Sequence, residues 1–307
     1  MKLNHLRDVI AVAERGSLRA AARQLGIAQP VITRSIREIE IELGVVLFER
    51  RTRGVVLTPM GSLFVRRAVA MQNEMRRARE ELDQLKGMNS GHVSIALSPA
   101  THMVLLPRAM GLFQARFPNV FLKVVEGLYP AIEIDLASGN IDFYVGPLGE
   151  QPLGKEFVVE KLFDYSRVIL GRKGHALAGA TSLKDLVEAR WIATTVTMNR
   201  GAELGPLFER YGLPHPKIAM EAPAALTMMV AAANSDLLVM VAEQWLAFPA
   251  MGELLNVFPI KEPLPAPAIC IVRRAQLPLT PAAEFLCDIL RRASEHHISA
   301  RAVYGKA

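Results

Sequence analysis

The segment SLRAAARQLGIAQPVITRSIREIE, residues 17–40, decides how the first part of this chain folds. Before Gly26, leucine and alanine recur at spacings of three and four residues; after it, Ile32, Ile36 and Ile39 do the same. Each stretch therefore has one apolar stripe, which predicts two amphipathic helices. Ser17 suits the N-cap of the first helix and Gly26 its end. The segment predicts a helix, a tight turn and a helix.

The residues on either side extend this pattern. Apolar residues from Leu3 to Ala13 predict an earlier helix, and the isoleucine stripe continues to Leu43 before Gly44 ends the third helix. Residues 48–57 predict a short two-stranded hairpin with arginines at or near its tip. Such an arrangement presents its last helix to the major groove of DNA, where the base edges carry distinguishable donors and acceptors.

The third predicted helix carries polar residues away from its isoleucine stripe. Arg34 suits a bidentate contact with guanine and Gln29 one with adenine, each worth about 1–3 kcal/mol of discrimination, whereas Thr33 and Arg37 suit phosphates or a thymine methyl. The residues free to contact DNA are Gln29, Pro30, Thr33, Arg34 and Arg37, and the hairpin adds Arg50, Arg51 and Arg53 for phosphate or the minor groove. A solvated helix face explains any one of them, but not the whole arrangement.

The distribution of charge supports a polyanionic partner for this region. Of the net charge of +6, residues 1–90 hold 16 Lys and Arg against 10 Asp and Glu, whereas residues 91–307 hold 20 of each. The first residues lack the unbroken apolar core of an export signal, and the most apolar long stretch, residues 222–242, is interrupted by polar residues. We therefore expect a soluble, cytoplasmic protein without a membrane partner.

A long polar helix is predicted to follow the hairpin. Thr58 suits an N-cap and Pro59 the first helical turn, and the pattern runs to about Lys86, roughly 42 Å at 1.5 Å per residue. Its apolar residues are spaced alternately by four and three, which is typical of a coiled-coil seam and predicts pairing with a second copy rather than packing on the same chain. The predicted dimerisation residues are Phe64, Ala68, Met71, Met75, Ala78, Leu82 and Leu85.

The remaining two thirds of the chain change character after a linker at Gly87–Gly91. Short apolar runs at residues 93–97, 121–125, 142–145, 168–170 and 269–272 alternate with helical stretches, which predicts α/β organisation. The last run lies far from the first strands, and the proline-rich residues 263–267 before it suit a stiff crossing between subdomains. We expect two α/β lobes with a cleft.

Catalysis has no candidate in this sequence. A phosphate-binding loop, a dinucleotide fingerprint, a zinc-protease helix and a nucleophile elbow are all missing. Cys270 and Cys287 are too few for a disulfide framework or a four-ligand zinc site, and their apolar neighbours indicate buried structural thiols. We therefore expect no enzyme, metal or cofactor. Two alternatives stay open: an α/β enzyme domain tethered to a DNA-binding module, and a solute-binding protein, against which the basic first third argues.

The N-terminal motifs resemble the signature of the LysR-type transcriptional regulators. The matching residues are Gly16-Ser17, Ala21-Ala22, Leu25, Gln29-Pro30, Ile36, Glu40, Leu43-Gly44, Leu47-Phe48, Arg50, Leu57-Thr58 and Gly61. One departure is Ala28, where the family frequently has serine, and it removes a side-chain cap from the third helix. The resemblance implies a multidomain protein with an α-rich winged helix-turn-helix, a long linker helix and a two-lobed α/β effector domain of the periplasmic-binding-protein type 2.

This family architecture implies domain boundaries and partners. The DNA-binding domain is expected at residues 1–58, the linker helix and hinge at 59–90 and the effector domain at 91–307, with lobe I at about 91–163 and 270–307 and lobe II at about 164–269. The third helix becomes the recognition helix and the hairpin the wing. The expected partners are promoter DNA, further copies of the chain in a dimer or a dimer-of-dimers homotetramer, a small organic acid effector and RNA polymerase.

The effector is expected in the cleft between the lobes. Helix-start amides and hydroxyls after the first strand favour a carboxylate or sulfonate, although ordinary helix capping also explains Ser98 and Thr101. The opposing lobe supplies a loop before another helix, and three further residues lie at predicted strand ends facing the cleft. The predicted effector-binding residues are Ser98, Pro99, Thr101, Gly127, Tyr129, Gly146, Thr197, Asn199 and Arg200. Met228 and Met229 are predicted to be core rather than pocket.

Overall fold

The computed structural model describes residues 1–52, 54–149, 153–194 and 203–304, the side chains of residues 250 and 298–304 excepted. The chain divides into two compact units. One comprises Met1–Lys86 with Ala137–Asn140, and the other comprises Gly87–Leu136 with Ile141–Ala307. The first is dominated by helices, and the second is built around two five-stranded sheets.

The first unit begins with three short helices that end at glycines. They are α1 (Leu3–Arg15), α2 (Leu18–Leu25) and α3 (Gln29–Leu43). Ser17 caps α2 by accepting a hydrogen bond from the Ala20 amide, as its position predicts, whereas Ala28 gives α3 no side-chain cap. Packing of the three apolar stripes forms one core, which contains Val9, Val12, Ala21, Ala22, Ile32, Ile36, Ile39 and Leu47.

Two residues assigned to these stripes lie at the surface instead. Leu3 is 58% exposed and Leu43 is 39% exposed. Each occupies the end of its helix, where the apolar stripe runs past the neighbouring helices and has no core left to enter. The buried part of the α3 stripe therefore comprises the three isoleucines.

A hairpin and a long helix complete the first unit. Strands β1 (Phe48–Arg51) and β2 (Gly54–Leu57) pair antiparallel, with Phe48 opposite Leu57 and Arg51 opposite Gly54. Helix α4 (Pro59–Leu85) follows, and the Thr58 hydroxyl oxygen accepts from the Gly61 amide at 2.9 Å. The predicted N-cap and proline thus both mark the observed start of the helix.

Close backbone contacts fix the hairpin and α4 on the three-helix core. The Glu40 carboxylate accepts from the amides of Leu47 and Phe48 at 2.7 and 3.2 Å, which ties the start of β1 to α3. A Cβ atom on Gly61 would lie 2.0 Å from the Leu47 carbonyl oxygen. Only glycine lets the first turn of α4 approach the backbone before β1 so closely.

The second unit contains two sheets. The first has the order β4-β3-β5-β12-β6 and the second the order β11-β7-β10-β8-β9. Strands β3, β4 and β5 are parallel, and so are β8, β9 and β10, whereas β12, β6, β7 and β11 make antiparallel pairs. The strands are β3 (Ser90–Leu97), β4 (Asn119–Glu126), β5 (Phe143–Pro147), β6 (Phe157–Phe163), β7 (Arg167–Arg172), β8 (Arg190–Thr194), β9 (Lys217–Ala222), β10 (Leu237–Ala242), β11 (Leu255–Phe258) and β12 (Ile269–Arg274).

Helices cover both sheets and bury their apolar faces. They are α5 (Pro99–Val104), α6 (Leu106–Arg116), α7 (Glu133–Ser138), α8 (Leu204–Arg210), α9 (Ala225–Ala233), α10 (Pro249–Leu254) and α11 (Pro281–Tyr304), with single-turn helices at Leu183–Leu186 and Glu243–Ala247. Phe113 and Leu286 belong to the core of the first sheet, and Trp191 and Phe208 to a core of the second. The α/β architecture predicted from the sequence, with a helical module before it, is confirmed.

The chain crosses between the two sheets twice, and the crossings run side by side. β6 ends at Phe163 and β7 begins at Arg167; the return segment lies between β11 and β12. Ser166 and Pro265 form an antiparallel bridge, and the Arg167 amide donates to the Leu264 carbonyl at 3.1 Å. The proline-rich stretch therefore forms part of a paired connection between the lobes.

Substituting Gly61→Ala tests the contact between α4 and the hairpin. The added methyl group meets backbone rather than a flexible side chain, so the free energy of unfolding is expected to fall by about 1–3 kcal/mol. Gly111→Ala is the matched control: it lies inside α6 with no atom within 4 Å of the new Cβ and is expected to stabilise by roughly 0.5–1 kcal/mol. Urea unfolding followed by circular dichroism measures the free energy of unfolding of both variants. Equal changes in the two variants would contradict the close contact between Gly61 and the backbone before β1.

Candidate DNA interface and interlobe cleft

The outward side of α3 carries the residues predicted to contact DNA. Gln29, Pro30, Arg34 and Arg37 are exposed. Thr33 is half-buried, and its hydroxyl donates to the Gln29 carbonyl at 3.0 Å within the helix. The Thr33 proton is thus engaged, and its oxygen stays available as an acceptor. The burial of the isoleucine stripe turns these side chains to solvent as one face.

The charges on this face are unneutralised. Within the described part of the chain, Arg34 and Arg37 make no hydrogen bond or ion pair, and the first turn of α3 has no side-chain cap. Unpaired guanidinium groups and uncapped helix-start amides are both suited to phosphate or base acceptors. In that first turn the Val31 amide already donates to the Ala28 carbonyl at 2.9 Å and Pro30 has no amide hydrogen, so the arginine side chains are the main donors of this face.

The hairpin adds cationic groups beside α3 in sequence. Arg50 is exposed and makes no ion pair among the described residues, whereas Arg51 pairs with Glu49 at 2.9 Å. Arg53, the third predicted contact of the wing, lies outside the described residues. Exposed pairs such as Arg51–Glu49 contribute little to stability, so a phosphate can replace the carboxylate.

A cleft of about 100 Å³ lies between the two lobes of the second unit. Its walls are the segments that follow the carboxyl ends of the parallel strands, where ligands bind in open α/β sheets. Residues 98–100, 128–129 and 147–149 line it from the first sheet; Thr194, Pro223 and residues 240–242 line it from the second. Apolar cavities of about 150 Å³ accept benzene, so this cleft suits a compact ligand.

Three of the predicted effector residues line the cleft, and three other described ones do not. Ser98, Pro99 and Tyr129 are part of its wall. Thr101, Gly127 and Gly146 are not among the lining residues, although each follows or neighbours a residue that is. Thr197, Asn199 and Arg200 lie outside the described residues. Met228, predicted to be core only, both packs in the core of the second lobe and lines the cleft.

The start of α5 is satisfied internally. The Ser98 hydroxyl oxygen accepts from the Thr101 amide at 3.4 Å, and the Thr101 hydroxyl lies within 2.9 Å of the carbonyl oxygens of both Ser98 and Val145. Both side chains are almost fully buried. Ser98 therefore both caps α5 and forms part of the cleft wall. Its role as a helix cap is compatible with its predicted contact with an effector.

The main polar group of the cleft was missed by sequence reasoning. Arg167, at the start of β7, donates from Nη2 to Glu203 Oε1 at 3.1 Å and from Nη1 to the Pro265 carbonyl at 3.3 Å. Thr194 reaches Glu203 Oε2 at 3.4 Å. A cation directly before the apolar run at 168–170 was a usable signal for a strand end, whereas Glu203 and Trp245 have no local pattern that marks them.

Two tyrosines in the wall are neutral hydrogen-bonding groups. Burial raises the pKa of Tyr165, and the neighbouring Arg167 offsets this only partly. Burial also raises the pKa of Tyr129, and a hydrogen bond with the Glu133 side chain raises it further. Both phenols therefore stay protonated at neutral pH; the Tyr129 hydroxyl donates to Glu133, whereas the Tyr165 hydroxyl, whose neighbour Arg167 is itself a donor, can donate a hydrogen bond to an anion.

Comparison with known families identifies both units. Residues 3–62 match the family described as bacterial regulatory helix-turn-helix protein, lysR family, and residues 86–295 match the LysR substrate binding domain. The chain belongs to the LysR family of DNA-binding transcriptional regulators. The expected family is thus confirmed, and its members are regulators rather than enzymes.

Individual relatives resemble this LysR regulator over most of its length. The transcriptional regulator TdcA of Escherichia coli K12 is 24% identical over 96% of this chain and 94% of its own. The regulator GalR of Pseudomonas putida is 28% identical over 94% and 72%. The crystal structure of CbnR, a LysR family regulator, superimposes with a TM-score of 0.69 at 20% identity, covering 96% of this chain and 99% of that one.

The predicted seam of α4 divides into two parts. Ala68 is buried and Phe64 half-buried, and both pack against Leu6 and Ile10 of α1. Beyond them Met71, Met75, Ala78, Leu82 and Leu85 are exposed, with Leu82 at 56% and Leu85 at 72%. The first part of the seam thus serves the core of the DNA-binding unit, and the second part is an uncovered apolar stripe.

Other chemistry is sparse in the described part of this LysR regulator. No group of three or more potential metal ligands occurs there. No helix in that part has the length and apolarity needed to cross a bilayer. Cys270 and Cys287 are free and buried, away from the cleft lining.

The reactivity of the two cysteines tests whether their thiols are buried. Burial, only partly offset by Arg291, raises the pKa of Cys287 to about 12, and burial raises that of Cys270 as well. Because the thiolate is the nucleophile, iodoacetamide should leave both thiols of the folded protein unmodified from pH 7 to 9. Protein unfolded in guanidinium is the control, and there labelling should increase with pH. Alkylation of Cys287 in the folded protein at pH 8, detected by mass spectrometry, would contradict the burial of this thiol.

Proposed function

We propose that this protein is a homo-oligomeric, sequence-specific regulator that reads promoter DNA with α3 and the hairpin and responds to a small organic anion in the interlobe cleft. The observation that carries the proposal is the exposed face of α3, on which Arg34 and Arg37 have no partner among the described residues. An uncompensated cationic face opposite a buried ridge is what a groove-binding helix requires.

The contacts with DNA follow from the exposed side chains. Gln29 and Arg34 contact base edges, Pro30 packs beside them, and Thr33 and Arg37 contact phosphate or a thymine methyl. Arg50, Arg51 and Arg53 of the wing grip the backbone near the minor groove. A CbnR structure with its target DNA superimposes on this chain with a TM-score of 0.68, which supports this docking mode.

Self-association uses the uncovered stripe of α4. Met71, Met75, Ala78, Leu82 and Leu85 continue the regular four-three spacing beyond the part that packs on α1, and a second copy of the helix covers such a stripe by knobs-into-holes packing. Phe64 and Ala68 then support the pair from within each DNA-binding unit. Two such dimers form a homotetramer that spaces several recognition helices along the promoter.

The three functions proposed here belong to successive segments of the chain. Residues 1–58 bind DNA, 59–90 form the linker helix and hinge, and 91–307 bind the effector between a lobe at about 91–163 and 270–307 and a lobe at about 164–269. Binding of the anion shifts the population of lobe arrangements, which changes the spacing of the recognition helices and the bending of DNA. The readout is altered contact with RNA polymerase in the cytoplasm, where the promoter lies.

Arg34→Ala tests base reading. Loss of a bidentate contact is expected to relax preference at one position of each half-site by about 1–3 kcal/mol. Arg37→Ala is the matched control on the same helix: it should weaken binding to all sequences alike and reduce the slope of affinity against salt by about one phosphate. Binding selections from randomised duplexes, followed by affinity measurements, distinguish the two. An unchanged base preference in Arg34→Ala contradicts its direct role.

Leu82→Asp tests the seam. A carboxylate in an apolar helix pair is expected to dissociate the dimer at micromolar concentration, because burying an unpaired charge costs several kcal/mol. Asp83→Asn, the neighbouring position off the predicted seam, serves as the control and should leave the assembly intact. Analytical ultracentrifugation reports both. A Leu82→Asp protein with the oligomeric state of the wild type would show that α4 does not hold the assembly together.

A further inference from the structure

We propose that Glu203 occupies the anion site of the cleft in the absence of effector, and that the effector is a compact monocarboxylate with an apolar body, which displaces Glu203 from Arg167. This inference rests on the proposed effector role of the cleft and names its ligand class. It assigns Arg167 as the residue that binds the carboxylate and Glu203 as its built-in competitor.

Arg167 is held in place by the connection between the lobes. Its amide donates to the Leu264 carbonyl, and its Nη1 donates to the Pro265 carbonyl. The side chain is 13% exposed and lines the cleft. A guanidinium with five donors in a fixed plane, anchored from one side, is well suited to donate hydrogen bonds to a carboxylate on the other.

Glu203 holds that guanidinium loosely. The Arg167–Glu203 contact is a single one at 3.1 Å, and the Thr194 contact to the same carboxylate is 3.4 Å. Charge-assisted hydrogen bonds are usually about 2.7–2.9 Å long. By contrast, Arg291 grips Glu160 with two contacts of 2.6 and 2.9 Å. The Glu203 side chain is also 30% exposed, so it regains hydration when it is released.

Exchange of one carboxylate for another explains why a charged ligand is compatible with an apolar cleft. The number of charges beside Arg167 stays the same, so the burial of the effector's charge is compensated at each step. An uncharged ligand has no means of displacing Glu203. The neutral hydroxyl of Tyr165, next to the same guanidinium, supplies a donor for the second carboxylate oxygen.

The rest of the wall determines the body of the ligand. Pro99, Leu148, Pro223, Met228 and Trp245 are apolar, and among the described lining residues Arg167 is the sole cation. Within this described wall, one cation already matched by one carboxylate suits a ligand with a single negative charge. A volume of about 100 Å³ accommodates a body smaller than benzene, which occupies a cavity of about 150 Å³, such as a branched four-carbon acid.

The test compares isobutyrate with its uncharged analogue isobutyramide, titrated into the full-length protein at constant ionic strength. Fluorescence of Trp245, which lines the cleft, reports binding; Trp191, the other tryptophan, is fully buried in a core. Glu203→Gln removes the competing charge and keeps the shape of the side chain. Glu188→Gln is the matched control, because Glu188 pairs with Lys217 at an exposed site and does not line the cleft.

Glu203→Gln is expected to bind isobutyrate about tenfold more tightly than the wild type, whereas Glu188→Gln is expected to match the wild type. Arg167→Gln should weaken isobutyrate binding at least about tenfold, and Arg167→Lys should restore part of it. Affinity for isobutyramide should change less than about twofold in all variants. Unfolding midpoints and affinity for duplexes selected from a randomised pool show that each variant is folded.

Three results overturn the proposal. One is equal affinity of the wild type and Glu203→Gln for isobutyrate, and another is isobutyrate binding that survives Arg167→Gln. The third is failure of both wild type and Glu203→Gln to bind isobutyrate, because a freed guanidinium in this cleft has to accept a small carboxylate. Binding of isobutyramide alone would leave the cleft as an effector site for uncharged ligands, and loss of DNA binding by the wild type would instead contradict the proposed function.

Discussion

The burial of three isoleucines of α3 against α1 and α2 is the contact on which the DNA-binding unit depends. Because Ile32, Ile36 and Ile39 recur at helical spacing, their burial fixes the rotation of α3 about its own axis. The same rotation turns Arg34 and Arg37 to solvent. The packing of the core and the exposure of this arginine face are therefore two consequences of one helical periodicity.

The backbone around α3 reinforces this orientation. Glu40 lies on α3 and accepts hydrogen bonds from the amides at the start of β1, so the hairpin is positioned by α3 itself. Gly61 lets α4 pack against the backbone that leads into the same strand. A distortion of any one of these elements would move the arginines of the helix and of the wing relative to each other.

The second unit uses a different constraint, which is the pairing of its two chain crossings. Ser166 and Pro265 are neighbours in space although they are far apart in the sequence. This pairing places Arg167 beside the cleft, where its charge is balanced by Glu203. The proposed exchange of carboxylates thus lies directly at the connection between the lobes. A small change in contacts there affects the arrangement of the two lobes.

The amino-acid sequence by itself determined the local elements: the caps of α2 and α4, the isoleucine ridge, the hairpin, the length of α4 and the α/β alternation. These features depend on neighbours within a few residues, so periodicity and capping rules reveal them. Only the tertiary structure decided that Leu43 is exposed, that Phe64 and Ala68 serve the core, and that Arg167 meets Glu203 in the cleft. Those outcomes depend on which distant segments come together, and a pattern of spacings along the chain carries no information about the partner that a side chain will meet.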